Sequence, residues 1–362
     1  MKKTINKNLM MVILIIILET VLIKWGMFRF LPSKFFYDTN GILSIMQNNF
    51  TADDSYMFAA NFFNCINIFG FQTLEQWNWF FAIIFTAIII FFIAKNKKYN
   101  LIQYLFIIAS VGLLNIYVFT LSKDLIQFLF FLVIFLLLKN KNMSNFKKLL
   151  FCSIILIIES IYFRVYYVIM AILMCTIYAI YNMFIKNKDV SKKTIIKIVL
   201  LAFVLFFVEI FTLQLVSEDN YYSIMYARSS VNSDRLYNVD ANTIIIELFG
   251  DNTSFIKFIL NYIINSLRMM IPIELLGKGI KYTPFILYQL LISYNVLKYS
   301  KKINDKNIMV LIAVISYFMI SIIFEPDFGS FIRHESSMFL VLLEMFVINY
   351  KHDEAKSVVK QE

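Results

Sequence analysis

Glycine, proline, histidine and cysteine are all scarce in this sequence, which has 8 Gly, 4 Pro, 2 His and 3 Cys in 362 residues. The cysteines (Cys65, Cys152 and Cys175) show no paired spacing, so neither a disulfide framework nor a zinc site is indicated, and no metal site is predicted. The sequence contains no GxxxxGK[ST] phosphate loop. It therefore indicates neither ATP nor a nucleotide-sugar as a substrate, and we predict no cofactor.

Apolar residues are abundant, because 60% of the chain is hydrophobic, in runs that approach the length of a bilayer span. A transmembrane helix needs about 20 mostly apolar residues to cross roughly 30 Å of hydrocarbon. The runs predict an all-α polytopic integral membrane protein, with residues 1–362 in a single transmembrane domain of about ten helices. The predicted spans are 8–28, 77–94, 101–118, 123–138, 149–163, 165–185, 194–215, 283–298, 307–324 and 335–350.

The distribution of lysine predicts how the chain is oriented in the lipid bilayer. Cytoplasmic loops carry an excess of Lys and Arg, so we place the lysine-rich connections and both termini in the cytoplasm. The lysine-rich connections are 95–98, 139–148, 186–193 and 298–306. The outer loops are then 29–76, 216–282 and 325–334, with tight outer turns at 118–123 and 163–165. Lysines between spans also explain the net charge of +10 without a nucleic-acid partner.

Residues 255–276 are apolar enough to form an eleventh span, which would place the connection 298–306 outside. We favour an interfacial or re-entrant helix that carries Arg268 at the membrane surface.

Arginine follows the opposite distribution, because all six arginines fall in or beside the outer loops. They are Arg29, Arg164, Arg228, Arg235, Arg268 and Arg333. Arginine is a planar fork of donors that binds phosphate through two hydrogen bonds and stays protonated. We therefore expect an anion at the outer leaflet, such as a lipid-linked pyrophosphate. The alternative is a set of unrelated arginines that extend to lipid head groups.

The first charged motif is VFTLSKDLIQF, residues 118–128. Ser122 can cap the following helix, and Asp124 suits the positive end of its dipole. Lys123 is unfavourable at a helix N-terminus unless an anion is bound there, so this motif predicts an anion site.

The second motif is ESIYFRVYYV, residues 159–168. Glu159 precedes Arg164 by five residues, a spacing that is not ideal for an ion pair. Tyr166 and Tyr167 follow Arg164, and their hydroxyls can hold it while their rings stack on sugars. The alternative is an interfacial aromatic belt with one arginine that extends to head groups.

The long outer loop 216–282 is polar and rich in tyrosine, and it contains Arg228 and Arg235 before Arg268. We expect these arginines to bind pyrophosphate or sugar, because a connector of this length is unusual unless it has a function. The alternative is a passive connector. The first outer loop adds Asp38 and neighbouring aspartates as ligands of a divalent ion or a base, although a solvated amphipathic loop is the favoured interpretation.

Residues 325–335, the last outer loop and the first residue of the next span, place five ionisable residues between two apolar runs, and the fifth of them, Glu335, is also a candidate base. Glu325 and Asp327 are candidates for a general base, and Arg333 is a candidate phosphate ligand. His334 is a further candidate base, because the other histidine, His352, lies in the predicted cytoplasmic tail.

These motifs resemble the Wzy-type (EpsG-like) bacterial capsular and O-antigen polysaccharide polymerases. The resemblance runs from the first span to the last. It depends on SKD (122–124), FRVYY (163–167), NSLRMMIPIELL (265–276) and FGSFIRH (328–334). It implies a fold related to the GT-C glycosyltransferases in the bacterial cytoplasmic membrane, with the active face outward. It also implies metal-independent joining of undecaprenyl-pyrophosphate-linked oligosaccharides, with a flippase and a chain-length regulator as further partners.

Two other classes of function remain open. One is an O-antigen ligase or a glycosyltransferase that uses a polyprenyl-phosphate sugar. The other is a flippase or transporter of lipid-linked oligosaccharide, which should show charges along a cavity and a repeated half-structure. The charges here concentrate on one predicted face, and the sequence shows no internal repeat.

Overall fold

The computed structural model describes residues 7–48, 52–95, 99–185, 192–236, 243–252, 254–300 and 307–348. These residues form helices joined by short turns, and no strand occurs within them; Ile244 and Asp327 form an isolated antiparallel bridge. The prediction of an all-α chain is confirmed for these ranges.

Sixteen α-helices occur in the described part of the chain. In chain order they are α1 (Lys7–Phe30), α2 (Tyr37–Asn48), α3 (Asp54–Ile66), α4 (Leu74–Lys95), α5 (Leu101–Leu113), α6 (Lys123–Lys139), α7 (Asn145–Tyr162), α8 (Tyr167–Ile185), α9 (Lys192–Val216), α10 (Glu218–Met225), α11 (Ala227–Leu236), α12 (Phe255–Met270), α13 (Thr283–Ser300), α14 (Ile308–Phe324), α15 (Phe328–Ser336) and α16 (Phe339–Ile348). A π-helical segment, Leu114–Val118, extends α5, and 3-10 turns occupy 33–36, 273–278 and 280–282.

Several of these helices have the length and composition of membrane spans. Four are long and apolar enough to cross a bilayer: Lys7–Phe30, Leu74–Lys95, Leu101–Val118 and Tyr167–Phe184. Three shorter apolar helices are Leu200–Val216, Ile308–Phe324 and Phe339–Ile348. The chain is thus a helical membrane protein. The predicted spans fall mainly on helical residues, with a break in the last one, but the number of crossings and their orientation stay predictions.

The last predicted span, 335–350, is interrupted, because its described residues 335–348 are divided between α15 and α16. The serine pair at the break explains the interruption. The Ser336 hydroxyl donates to the carbonyl of Arg333 at 2.6 Å, and the Ser337 N–H donates to His334 O at 3.1 Å. Side chains that bond to nearby backbone in this way compete with a regular helix.

The chain divides into two compact units. Unit 1 comprises residues 1–135, 158–165 and 333–362, and unit 2 comprises 136–157 and 166–332. The boundaries fall within α6, α7 and α15 and in the turn between α7 and α8.

Aromatic packing in unit 1 fixes the turn between α5 and α6. Trp77 stacks on Phe81 at 5.2 Å between ring centroids, and Phe85 stacks on Phe119 at 5.4 Å. Phe119 also meets Phe128 edge-on at 5.2 Å. Aromatic pairs at these distances add to the stability supplied by burial, so the residues just before α6 are held by α4 and by α6 itself.

The predicted outer loop 29–76 contains two helices, α2 and α3, rather than irregular chain. In α2, the residues Thr39, Ile42 and Ile45 recur every three positions and are buried. This spacing places them on one helix face. The neighbouring aspartates Asp53 and Asp54 are exposed, as the favoured interpretation of a solvated amphipathic loop expects, whereas Asp38 is half-buried.

Helix α12 in unit 2 exposes several apolar residues and buries two asparagines among its inward-facing residues. Ile256, Leu260 and Ile263 are exposed, whereas Asn261 and Asn265 are buried. Such an exposed apolar face suits contact with lipid. The 16 residues of α12 extend for about 24 Å, which is shorter than the roughly 30 Å of hydrocarbon that a span must cross.

Candidate functional site

A charged cluster in unit 1 joins residues that are far apart in the sequence. We call it the Asp124 cluster, after the carboxylate at its centre. Its members are Asp38 on α2, Tyr56 on α3, Lys123 and Asp124 on α6, Arg164 in the turn after α7, and Arg333 and His334 on α15. Five of the residues predicted from the sequence to form the site are therefore close together: Lys123, Asp124, Arg164, Arg333 and His334.

Asp124 binds two arginines through its two carboxylate oxygens. Oδ1 lies 3.0 Å from Nη2 of Arg164, and Oδ2 lies 3.0 Å from Nε of Arg333. The Asp124 side chain is only 4% exposed, whereas those of Arg164 and Arg333 are 15% and 31% exposed. The buried carboxylate therefore fixes two guanidinium groups that solvent can still reach.

His334 lies between the two guanidinium groups. Its Nε2 is 2.7 Å from Nη2 of Arg164 and 3.2 Å from Nη2 of Arg333. A guanidinium can only donate, so the lone pair of Nε2 accepts from both arginines and the proton of the neutral ring is assigned to Nδ1. The longer distance of 3.4 Å from Nε2 to Oδ1 of Asp124 is then a contact between two acceptors. In this arrangement His334 is unprotonated at Nε2.

Asp38 holds Arg333 from a second direction. Nη1 of Arg333 lies 3.5 Å from Oδ2 of Asp38, and the Tyr56 hydroxyl donates to Oδ1 of Asp38 at 2.5 Å. Burial and this hydrogen bond raise the pKa of Tyr56, so its phenol remains a donor at neutral pH. The sequence analysis gave Asp38 only a secondary role and missed Tyr56. The three-residue spacing of buried residues in α2 is the signal that could have identified a packed helix here.

Lys123 adds a third cation, in the first turn of α6. Its ammonium lies 3.7 Å from the centroid of the Tyr56 ring and 3.5 Å from Oγ of Ser55. Ser122 caps α6 as predicted, because its Oγ accepts from the N–H of Leu125 at 3.3 Å. The first turn of α6 thus supplies both the central carboxylate and a cation that rests on an aromatic face.

The Asp124 cluster carries excess positive charge. Three cations, Lys123, Arg164 and Arg333, meet two carboxylates, Asp38 and Asp124, around a neutral histidine. Planar guanidinium groups held in place, with a positive balance, are suited to bind phosphate. Within the described ranges, no group of three or more His, Cys, Asp or Glu side chains is arranged to hold a metal ion.

Glu159 was considered as an ion-pair partner for Arg164. Its side chain is completely buried in unit 1, and neither carboxyl oxygen has a hydrogen-bond partner among the described residues. Its carbonyl accepts from the N–H of Phe163 at 2.9 Å, which ends α7 just before Arg164.

Arg228 lies in unit 2 and has a different environment. Its side chain is 4% exposed, and Nη1 lies 3.1 Å from Oε1 of Glu247. Nε donates to the carbonyl of Glu325 at 3.0 Å, and Nη2 donates to the carbonyl of Ile322. Arg228 therefore neutralises Glu247 and supplies donors to the carbonyls at the end of α14, which have no partner within the helix.

Asp327, predicted as a base, caps α15 within unit 2. Its Oδ1 accepts from the N–H of Ser330 at 2.8 Å and from the hydroxyl of Thr243 at 3.3 Å. Glu325, the other predicted carboxylate base, is buried at 3% exposure. The geometry of Asp327 is that of a helix N-cap.

Arg268 forms a bidentate pair with Glu274 in unit 2, with N–O distances of 2.6 and 2.8 Å. Its Nη1 also donates to the carbonyl of Ile246 at 2.7 Å. Tyr166 stacks on Phe324 with ring centroids 4.5 Å apart.

Tyr167, Arg235 and His352 were also singled out from the sequence. Tyr167 is buried in unit 2. The side chain of Arg235, on α11, and the whole of His352 lie outside the residues that the structure describes.

Comparison with known proteins does not extend this description. No protein-family model, no curated protein and no solved structure matches the chain. A function for this helical membrane protein is therefore argued from the Asp124 cluster.

Proposed function

We propose that the protein is a polysaccharide polymerase of the Wzy type. It would join undecaprenyl-pyrophosphate-linked oligosaccharide repeat units on the outer face of the bacterial cytoplasmic membrane, for a capsule, an exopolysaccharide or an O-antigen. The observation that carries the proposal is the convergence of Lys123, Arg164 and Arg333 around Asp124 in a helical membrane protein.

The charge of the Asp124 cluster suits a pyrophosphate. A polyprenyl pyrophosphate is an anion attached to a lipid, so its binding site has to be cationic and accessible from the bilayer. Two guanidinium groups can each give paired hydrogen bonds to phosphate oxygens, and Lys123 adds a point charge. Asp124 holds both arginines close together before the ligand arrives, and their guanidinium groups turn from His334 toward the phosphate when it binds.

The same residues can stabilise the departure of the pyrophosphate. An acceptor sugar hydroxyl attacks the anomeric carbon of the donor, and the bond from that carbon to the pyrophosphate oxygen breaks. The bonding electrons leave with the pyrophosphate, whose growing charge is matched by Arg164, Arg333 and Lys123. We propose a metal-independent reaction because the positive charge of these side chains can neutralise the leaving pyrophosphate.

His334 is the candidate base for the acceptor hydroxyl. Without ligand, its Nε2 accepts hydrogen bonds from Arg164 and Arg333. When both guanidinium groups turn toward phosphate, the Nε2 lone pair becomes available to take the hydroxyl proton. Asp124 then holds the two arginines and lies beside the imidazolium that results.

The proposal is tested in a strain that lacks the protein and is complemented with wild type, Arg333→Ala or the control Arg29→Ala. Arg29 contacts its own helix, because Nη1 donates to the carbonyl of Trp25 at 2.7 Å. Glycan is extracted and resolved by size, and insertion of each variant is checked by its amount in the membrane.

We expect long polymer with wild type and Arg29→Ala. With Arg333→Ala we expect single repeat units on the outer surface or on lipid. Repeat units confined to the inner face would contradict the proposal and identify a flippase. Long lipid-linked glycan that is never transferred would contradict it in favour of a ligase.

A further inference from the structure

A lysine is buried in α1, one of the helices long enough to cross the bilayer. Lys24 is 1% exposed in a helix whose other residues are mainly apolar. A buried cation needs polar partners, and ionisable residues within membrane helices usually have a function. The sequence analysis treated residues 8–28 as an ordinary span and gave Lys24 no role.

The ammonium of Lys24 binds two backbone carbonyls at the end of α5. Nζ donates to the carbonyl of Asn115 at 2.5 Å and to that of Phe119 at 2.7 Å. Both residues belong to unit 1, in or directly after the π-helical segment.

The π-helical segment explains why these carbonyls need a donor. In an α-helix the N–H of Phe119 would bond to the carbonyl of Asn115, four residues earlier. Here it donates to Leu114 instead, at 2.7 Å. The carbonyl of Asn115 is left without its helical donor, and Lys24 supplies one. The carbonyl of Phe119 lies beyond the last regular turn, where helix carbonyls lack donors within the helix.

The turn held by Lys24 leads directly into the Asp124 cluster. Two tight turns follow Phe119, since the N–H of Thr120 donates to Val118 O at 2.7 Å and that of Ser122 to Thr120 O at 2.8 Å. Ser122 then caps α6, and the next residue is Lys123. Four positions along the chain separate the carbonyl bound by Lys24 from a cation of the site.

A second set of hydrogen bonds fixes the same end of α5. The side-chain amide of Asn115 donates to the carbonyl of Val111 at 3.0 Å and to Oγ1 of Thr20 at 3.1 Å. The hydroxyls of Thr20 and Thr86 lie 3.4 Å apart. These contacts hold the side chain of Asn115 and do not involve the carbonyls that Lys24 binds. A change at Thr86 therefore serves as a control for a change at Lys24.

We propose that Lys24 is a positioning residue, which holds the π-helical end of α5 and so determines where Lys123 and Asp124 lie. This inference depends on the proposed function of the Asp124 cluster. If the end of α5 reverted to a regular α-helix, each residue beyond it would shift by up to about 100° and 1.5 Å, the step of one helical residue. Such a shift would remove Asp124 from between Arg164 and Arg333.

The test uses the purified full chain in lipid nanodiscs, with variants Lys24→Met, Lys24→Gln and the control Thr86→Val. Hydrogen exchange is measured for the amides of residues 118–125 and for the rest of the chain. Affinity for farnesyl pyrophosphate, a short polyprenyl pyrophosphate, is measured by titration. Lys24→Met removes every donor at this position, whereas Lys24→Gln keeps an amide N–H donor.

We expect Lys24→Met to speed exchange mainly at 118–125 and to weaken farnesyl pyrophosphate binding by at least about tenfold, because small displacements of binding groups are costly. Lys24→Gln should lie between Lys24→Met and wild type, and Thr86→Val should resemble wild type. If Lys24→Met does not insert, the same two measurements on Lys24→Gln decide.

The inference would be overturned if Lys24→Met left hydrogen exchange at 118–125 unchanged and bound farnesyl pyrophosphate within about twofold of wild type. Residues 118–125 would then keep their positions without Lys24. Faster exchange along the whole chain, with no local excess, would also overturn it, since Lys24 would then be merely structural. If wild type does not bind farnesyl pyrophosphate, the proposed function fails. The exchange measurement then still decides whether Lys24 holds the turn.

Discussion

Arginines in the two units have different environments, although the sequence places all of them on the same predicted face. In unit 1, Arg164 and Arg333 both bind Asp124, and the cluster as a whole has three cations, with Lys123, against two carboxylates, with Asp38. In unit 2, Arg228 has Glu247 to itself and is almost completely buried. Three cations around two carboxylates leave positive charge that a ligand can neutralise, whereas a matched pair leaves none.

Arg268 belongs with the matched pairs, because Glu274 binds it through both carboxylate oxygens. The comparison teaches that the presence of arginine does not identify an anion site. The balance of cations and carboxylates around each arginine does, together with its exposure. On this basis the Asp124 cluster is the part of the described chain where we place phosphate binding.

The largest effect is expected for Arg164→Ala, which should reduce polymer formation by about a hundredfold or more. It removes a phosphate donor and leaves Asp124 with one arginine fewer. Arg164→Lys should not restore polymer, because an ammonium cannot give the paired, planar hydrogen bonds of a guanidinium. Size-resolved glycan from complemented cells measures both variants. Normal chain lengths from Arg164→Ala, at normal membrane levels, would be incompatible with the proposal.

Arg228→Met should act on stability instead. Its loss leaves Glu247, whose side chain is only 10% exposed, with the hydrogen bond from Asn265 but without its cation. Breaking a fully buried pair costs about 3–5 kcal/mol, so we expect a loss of stability toward the lower end of that range. We expect a lower midpoint of thermal unfolding and less protein in the membrane, with near-normal activity per folded molecule. Adding Glu247→Gln should recover part of the lost stability, because the unpaired charge is then removed. A stable Arg228→Met protein that cannot polymerise would instead place Arg228 in the binding site.

Tyr56→Phe should give a smaller effect within the Asp124 cluster. It deletes the hydrogen bond to Asp38, which orients Arg333, and leaves the ring under Lys123 in place. A hydrogen bond of this kind contributes about 1 kcal/mol, so farnesyl pyrophosphate should bind about fivefold more weakly. Tyr162→Phe is the matched control, because the contact described for Tyr162 is its ring stacked on Phe58. Equal affinities for the two variants would show that the hydrogen bond between Tyr56 and Asp38 does not contribute to pyrophosphate binding.

The smallest effect is expected for Arg29→Ala. Arg29 lies over the ring of Trp25 at 4.2 Å and donates to its carbonyl, on the exposed side of α1. Exposed interactions of this kind are worth less than about 1 kcal/mol. Polymer length and unfolding midpoint should both match wild type. A large loss of polymer would show that total positive charge, and not the Asp124 cluster, determines activity.

The positions of the helices were predictable because apolar runs of bilayer length carry a strong signal. Helices α1, α4 and α9 begin and end within three residues of their predicted bounds. Helices α2 and α3 were missed because polar residues interrupt their apolar residues, so neither helix forms a long hydrophobic run. The π-helical end of α5 was also missed, since a single shifted hydrogen bond leaves no mark in composition.

The candidate site was predictable in its residue types and not in its grouping. The motifs around Asp124, Arg164 and Arg333 were identified because charged residues are conspicuous beside apolar runs. The pairing of Arg228 with its own carboxylate was not predictable, because it depends on which acidic side chain packs against it within unit 2. Lys24 was overlooked because one lysine hardly lowers the hydrophobicity of a span, although its two carbonyl partners give it a specific place.

The most direct test of the central idea is a binding titration of the purified protein in lipid nanodiscs. Farnesyl pyrophosphate and farnesyl monophosphate are compared on wild type, Arg333→Ala and Arg29→Ala. The account predicts that wild type and Arg29→Ala prefer the pyrophosphate, and that Arg333→Ala loses about tenfold or more in affinity for it. Equal binding of the pyrophosphate by all three proteins would contradict a pyrophosphate site at the Asp124 cluster.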